Sequence, residues 1–144
     1  MQNLIDGVIY SNLKLNHRAR IIVGVIIMLL IAGMHGFRIG QFLNGDLYKL
    51  YYSFASDLVL PIGAYFMLSM NEIHVRFLRK WYIKAIIVFA AMTFSEIMQA
   101  FDIYFFGVTF DLLDVLMFAI GTLFAIFIDK LVLENLVPHW EYSK

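Results

Sequence analysis

Four long apolar runs constrain the fold of this chain more than any other feature of its sequence. A transmembrane helix needs about 20 apolar residues, because a rise of 1.5 Å per residue must cover about 30 Å of hydrocarbon. The four runs cover residues 21–37, 51–70, 81–101 and 112–133, and charged or turn-forming segments divide them. The sequence therefore predicts an all-α polytopic protein, a four-transmembrane-helix bundle that forms one integral membrane domain over residues 1–144.

The composition supports a membrane protein and excludes several other classes. Hydrophobic residues make up 62% of the chain and charged residues 15%, whereas about a quarter of the residues in soluble domains are charged. Eleven Lys and Arg balance eleven Asp and Glu, so there is no basic excess to hold the phosphates of a nucleic acid. The absence of cysteine excludes disulfides, thiolate metal ligands and a cysteine nucleophile. Because the positive and negative charges balance, we expect no nucleic-acid partner.

The basic residues lie mostly near one set of span ends, and such residues accumulate on the cytoplasmic side of a membrane. Only Arg38 and Lys49 lie near the opposite ends. The others are Lys14, Arg18, Arg20, Arg76, Arg79, Lys80, Lys84, Lys130 and Lys144. This asymmetry predicts a multi-pass protein with both termini in the cytoplasm.

The inner span ends carry further signs of the membrane surface. Arg76, Arg79, Lys80 and Lys84 are expected to pair with anionic headgroups. Trp81, Tyr82 and Trp140 are expected at the inner headgroup level, where aromatic residues are enriched. Residues 1–20 combine apolar residues with a following basic cluster, which predicts an N-terminal interfacial helix.

Small residues spaced by four occur in two of the spans, and this spacing lets helix backbones approach closely. They are Ala32, Gly36 and Gly40 in the first span and its end, and Gly121 and Ala125 in the fourth. The pattern predicts close helix packing but does not identify the pairs of helices.

Ionisable residues inside lipid cost several kcal/mol and by default indicate a functional site that faces the bundle interior. At 1.5 Å per residue, four ionisable residues lie about 18–22 Å from a polar residue near the inner end of their span. They are His35 measured from Arg20, Asp57 from Asn71, Glu96 from Lys84, and Asp114 from Asp129. Three further polar residues lie one turn nearer the outer ends of the spans: Arg38 after His35, Gln99 after Glu96, and Asp111 before Asp114. The sequence predicts a ligand-binding pocket open to the extracytoplasmic side, formed by His35, Arg38, Asp57, Glu96, Gln99, Asp111 and Asp114.

Simpler interpretations of these residues stay open at this point. Asp111 and Asp114 have the spacing of a helix N-cap and its third residue. Asp57 fits an interfacial position before Pro61, and His35 fits an ordinary packing residue. Glu96 is the hardest residue to explain without a polar partner, because it lies well inside its span.

The chemistry of the predicted pocket is only partly constrained by its residues. Arg38 has the geometry to bind a phosphate or carboxylate, and paired carboxylates suit acid–base work. No pair of ligands has a diagnostic metal spacing, so no metal site is predicted. No recognised catalytic motif is present, so the sequence favours a role without catalysis and indicates no catalytic residue and no cofactor.

Residues 95–99 (S-E-I-M-Q) and 109–121 (T-F-D-L-L-D-V-L-M-F-A-I-G) resemble the VanZ-like family of small bacterial membrane proteins. That family carries a Glu-x-x-Gln at the end of one span and an acidic pair before the next. The matching positions are Glu96, Gln99, Asp111, Asp114 and Gly121. The resemblance implies a location in the bacterial inner membrane and a role at the outer leaflet or cell envelope.

Three functions follow from the sequence. The first is a VanZ-like envelope protein whose pocket binds a lipid headgroup, a cell-wall precursor or a similar polar ligand. The second is a small-solute carrier. The third is a non-catalytic subunit or scaffold that packs on a larger membrane complex. The expected partners are membrane lipids, a lipid-linked or cell-wall ligand, and a homo-oligomer or larger membrane complex.

Overall fold

The computed structural model describes residues 2–37, 39–99, 101, 111–138 and 140. It has four helices that are long and apolar enough to cross a membrane, and no strand occurs among the residues described. The helices are α1 (Gln2–Gly36), α2 (Asp46–Met70), α3 (Trp81–Gln99), α4 (Leu112–Phe127), and α5 (Glu134–Leu136), with a π-helical turn (Ile128–Leu133) between the last two. The predicted all-α four-helix bundle of a multi-pass membrane protein is confirmed.

The helix ends differ from the predicted span ends in two places. Helix α1 runs through residue 20 without a break, so the predicted boundary between the interfacial segment and the first span is not a helix end. The location of residues 2–13 in the interface stays a prediction. Helix α2 begins at Asp46, earlier than predicted, directly after Gly45. Gly45 has a φ of 62°, a left-handed conformation that glycine adopts without the steric penalty of a Cβ atom.

Successive spans run in opposite directions, so their ends form two groups. We call the ends near Gly36, Asp46, Gln99 and Leu112 the Glu96 end, and the ends near Met70, Trp81 and Leu136 the Lys84 end. Helix α2 packs against each of the other three spans, whereas α1 packs chiefly against α2. Large apolar side chains such as Leu29, Ile86 and Leu123 remain exposed, as lipid-facing residues of a membrane protein would be.

Helices α2 and α4 approach each other closely at Gly121. A Cβ atom on Gly121 would lie 2.2 Å from the Leu58 carbonyl oxygen. Ala125, one turn further along α4, is completely buried. Close packing at Gly121 and Ala125 is therefore confirmed, whereas Gly36 has open space around it within the part of the chain described.

We expect the substitution Gly121→Ala to lower the free energy of unfolding by about 3 kcal/mol, because the new methyl group forces α2 and α4 apart. Gly33→Ala is the matched control, since its Cβ atom would meet nothing closer than 4.0 Å. Alanine also has the higher helix propensity, so the control should be neutral or slightly stabilising. Reversible unfolding in mixed micelles, followed by circular dichroism, measures both. Equal stability of the two variants would contradict the close crossing.

Candidate functional site

Three carboxyl groups from three different spans meet at the Glu96 end, and we call them the acidic cluster. They are Asp57 of α2, Glu96 of α3 and Asp114 of α4. The Asp57 and Asp114 side chains lie close enough for their charges to interact, and the charge of Glu96 acts on both. Glu96 is 3% exposed, whereas the two aspartates are partly exposed. The cluster therefore joins a buried carboxylate to a more accessible pair.

Both carboxylate oxygens of Glu96 accept hydrogen bonds at the junction of α3 and α4. Glu96 Oε1 accepts from the backbone N–H of Asp111 at 2.8 Å, and Oε2 accepts from Gln99 Nε2 at 3.0 Å. Asp111 is the N-cap of α4, and its Oδ1 accepts from the Leu113 N–H at 2.8 Å. The capping interpretation of Asp111 is thus confirmed. The backbone N–H of Asp111 also positions Glu96 by donating to its carboxylate.

Gln99 carries an amide oxygen that is not satisfied. The residue is 6% exposed, and its Oε1 atom has no hydrogen-bond partner among the residues described. Its Nε2 atom faces Glu96, and a carboxylate only accepts hydrogen bonds, so the two ends of the amide are fixed in this orientation. The acidic cluster is therefore bordered by a buried acceptor to which no described residue donates.

No described Lys or Arg side chain lies within ion-pair distance of Asp57, Glu96 or Asp114. Nor does the described part of the chain contain a group of three His, Asp or Glu side chains arranged to hold a metal ion. The acidic cluster thus gathers hydrogen-bond acceptors and negative charge without a cation from the described residues. A ligand for such a site needs donors and a positive charge.

His35 was predicted in the same pocket, and its described hydrogen bonds go to Ile31 and Ser56 rather than to the carboxyl groups of the acidic cluster. Its Nδ1 atom pairs with the Ile31 carbonyl oxygen at 2.9 Å and its Nε2 atom with Ser56 Oγ at 3.3 Å. The ring lines a small open pocket of about 90 Å³ together with Tyr51 and Tyr52. Arg38, which was expected to bind a phosphate or carboxylate, lies outside the described residues.

A second polar group, which we call the ionic cluster, is buried at the Lys84 end. It consists of Arg20, Glu72, Lys84 and Asp129, each at most 5% exposed. Glu72 Oε1 is 2.8 Å from Arg20 Nη1 and 2.5 Å from Lys84 Nζ, and Lys84 Nζ is 3.1 Å from Asp129 Oδ2. Two positive and two negative groups therefore balance each other. They connect α1, the loop after α2, α3 and the π-helical turn.

Neutral side chains complete the ionic cluster. The Tyr65 hydroxyl donates to Asp129 Oδ2 at 2.6 Å, and the Trp140 indole N–H donates to Asp129 Oδ1 at 2.7 Å. Lys84 also donates to Ser69 Oγ at 2.9 Å. The Arg20 guanidinium lies 4.4 Å from the centre of the Trp140 ring and donates to the carbonyl oxygen of that residue. These contacts hold Trp140 against the bundle.

Two features mark the ionic cluster as unusual. Asp129 lies in the π-helical turn, and such turns occur frequently at functional sites. Glu72 Oε2 is buried without a hydrogen-bond partner in the described residues. Burial raises the pKa of the Glu72 carboxyl, although Lys84 and Arg20 act in the opposite direction.

The sequence analysis missed the ionic cluster. The predicted pairing of Lys84 with anionic headgroups is wrong, because the residue is 1% exposed. Trp140 was predicted at the inner headgroup level, and it is also 1% exposed, so it contacts the protein interior. Trp81 and Tyr82 are exposed, as a headgroup position requires. The available signal was the position of Lys84 and Asp129, one turn or more inside apolar segments, with opposite charges at the same end.

Comparisons with protein families, with curated proteins and with solved structures found no match to this chain. The resemblance of residues 95–121 to the VanZ-like family stays a prediction.

Proposed function

We propose that this protein is a VanZ-like membrane protein whose acidic cluster binds the cationic group of a polar ligand, a lipid headgroup or cell-wall precursor, at the outer surface of the bacterial inner membrane. One observation carries the proposal: charge is balanced within the ionic cluster but not within the acidic cluster. The ionic cluster balances two cations with two anions, whereas the acidic cluster has no described cationic partner. An external cation would supply the missing charge.

The depth of the acidic cluster suits a headgroup. Glu96 lies one turn before the end of α3, and Asp114 lies in the first turn of α4. At 1.5 Å per residue, Glu96 is about 4.5 Å from the end of α3 and Asp114 about 3 Å from the start of α4, close to the boundary between hydrocarbon and headgroups. A zwitterionic headgroup can place its ammonium group at this level while its acyl chains stay in the bilayer.

The orientation of the protein is part of the proposal. Basic residues at the Lys84 end favour a cytoplasmic location for that end and for both termini. The inner membrane is the location that the VanZ-like resemblance implies. With this orientation, the acidic cluster faces the outer leaflet.

Cysteine labelling in intact cells tests the orientation, because the native chain has no cysteine. We expect Asn44→Cys to react with a membrane-impermeant thiol reagent, and His74→Cys to react only after the membrane is permeabilised. Both positions are exposed in the structure, so protection reports the side of the membrane and not burial. Labelling of His74→Cys with protection of Asn44→Cys would reverse the orientation.

Lipid competition tests the binding function. The purified protein is incubated with equal amounts of phosphatidylethanolamine, which has an ammonium group, and phosphatidylglycerol, which has none. Native mass spectrometry then counts the lipids retained. We expect phosphatidylethanolamine to be retained about tenfold better, equivalent to about 1.4 kcal/mol. A preference for phosphatidylglycerol, or retention of neither lipid, would contradict the proposal, and the latter would favour the scaffold alternative.

A further inference from the structure

The acidic cluster presents several hydrogen-bond acceptors, although the Asp111 N–H and Gln99 Nε2 donate to Glu96. Asp57, Glu96 and Asp114 supply carboxylate oxygens. The amide oxygen of Gln99, which has no hydrogen-bond partner in the described part of the chain, adds a buried acceptor next to Glu96. Carboxylates attract any cation, but an amide oxygen discriminates among cations by whether they carry an N–H donor.

The orientation of the Gln99 amide is fixed by its neighbour. Rotating the amide by half a turn would bring Oε1 against Glu96 Oε2, where two acceptors would repel each other and the 3.0 Å hydrogen bond from Nε2 would be lost. The acceptor therefore stays available. A buried acceptor without a donor is destabilising, so a ligand that donates to it gains binding energy that other cations do not.

We propose that Gln99 makes the site selective for a primary ammonium group over a fully methylated one. This inference rests on the proposed function of the acidic cluster. A primary ammonium carries three N–H donors, enough to contact carboxylate oxygens and Gln99 Oε1 together, whereas a quaternary ammonium carries none. The quaternary group would leave Oε1 buried and unsatisfied while still interacting with the carboxylates through its charge.

Two sources supply a primary ammonium at this surface. One is the ethanolamine headgroup of a membrane lipid, and the other is a soluble amine without acyl chains. Their recognition by the acidic cluster and Gln99 is the same. They differ in whether the hydrocarbon of the bilayer adds to binding.

A methylation series tests the selectivity on the wild-type protein, without any variant. The probes are phosphatidylethanolamine, its N-methyl and N,N-dimethyl derivatives, and phosphatidylcholine, with identical acyl chains. We expect affinity to fall as methyl groups replace N–H donors, and phosphatidylcholine to bind at least tenfold more weakly than phosphatidylethanolamine. Equal affinity across the series would overturn the selectivity but leave the proposed function standing. Binding of none of the four lipids would refute the proposed function itself.

The variant Gln99→Met assigns the selectivity to Gln99. It keeps an unbranched side chain but removes the amide, so phosphatidylethanolamine should lose affinity while phosphatidylcholine does not, and the ratio should approach one. A purely structural role would weaken both lipids equally. Retention of the wild-type ratio, or equal weakening, would overturn the assignment.

A soluble competitor separates the two sources of the amine. Displacement of phosphatidylethanolamine by glycerophosphoethanolamine would support recognition of the ammonium group without acyl chains. Displacement only by the intact lipid would support the same recognition at a membrane-anchored headgroup. Equal displacement by glycerophosphocholine and glycerophosphoethanolamine would contradict the proposal.

Discussion

Replacing Lys84 by methionine should lower the free energy of unfolding by about 3–5 kcal/mol, the largest effect on stability that we expect from a single substitution in this chain. Lys84 is the cation shared by Glu72 and Asp129, and all three residues are almost fully buried. Methionine fills a similar volume, so the loss arises from two carboxylates left in the protein interior without their common partner. Unfolding in mixed micelles, followed by circular dichroism, measures the change.

Lys80→Met is the matched control for this experiment. Lys80 lies on the same side of the protein but is exposed, so its replacement should change the stability by no more than about 0.5 kcal/mol. Adding Asp129→Asn to Lys84→Met restores the balance of charge around Glu72 and Arg20. The double variant should therefore be more stable than the sum of the single effects predicts. Additive losses, or equal losses from Lys84 and Lys80, would show that the ionic cluster does not stabilise the fold.

Replacing Glu96 by glutamine should greatly weaken ligand binding but change the free energy of unfolding little, in contrast to Lys84→Met. The new amide oxygen can accept from the Asp111 N–H, and Gln99 can rotate its own amide to accept from the new NH₂ group. We therefore expect the stability to change by only about 1 kcal/mol. The ligand, however, loses a charge-assisted partner, and such a contact contributes about 1.5–3 kcal/mol, or at least tenfold in affinity.

The sequence predicted the spans because length and hydropathy are local properties. It also predicted the common depth of Asp57, Glu96 and Asp114, since depth follows from the rise of a helix alone. Depth does not determine which way a residue faces around the helix axis. His35 has the predicted depth, but its ring pairs with Ser56 and with the carbonyl oxygen of Ile31 in its own helix.

The ionic cluster depends on tertiary contacts that sequence patterns do not report. Arg20 and Glu72 are 52 positions apart, and Lys84 and Asp129 are 45 positions apart. Charged residues are common near the ends of spans, so the presence of these four residues there did not indicate a buried cluster. Asp129 also lies in a π-helical turn, within a run that the apolar pattern predicts as continuous α-helix.

The most direct test of the proposed function is the equilibrium affinity of the Glu96→Gln variant for phosphatidylethanolamine in detergent. The control is Asp46→Asn, which removes a fully exposed carboxylate at the same end of the bundle. We expect Glu96→Gln to bind at least tenfold more weakly than wild type, Asp46→Asn to bind like wild type, and both variants to unfold close to the wild-type temperature. Wild-type affinity in Glu96→Gln would contradict a binding role for the acidic cluster.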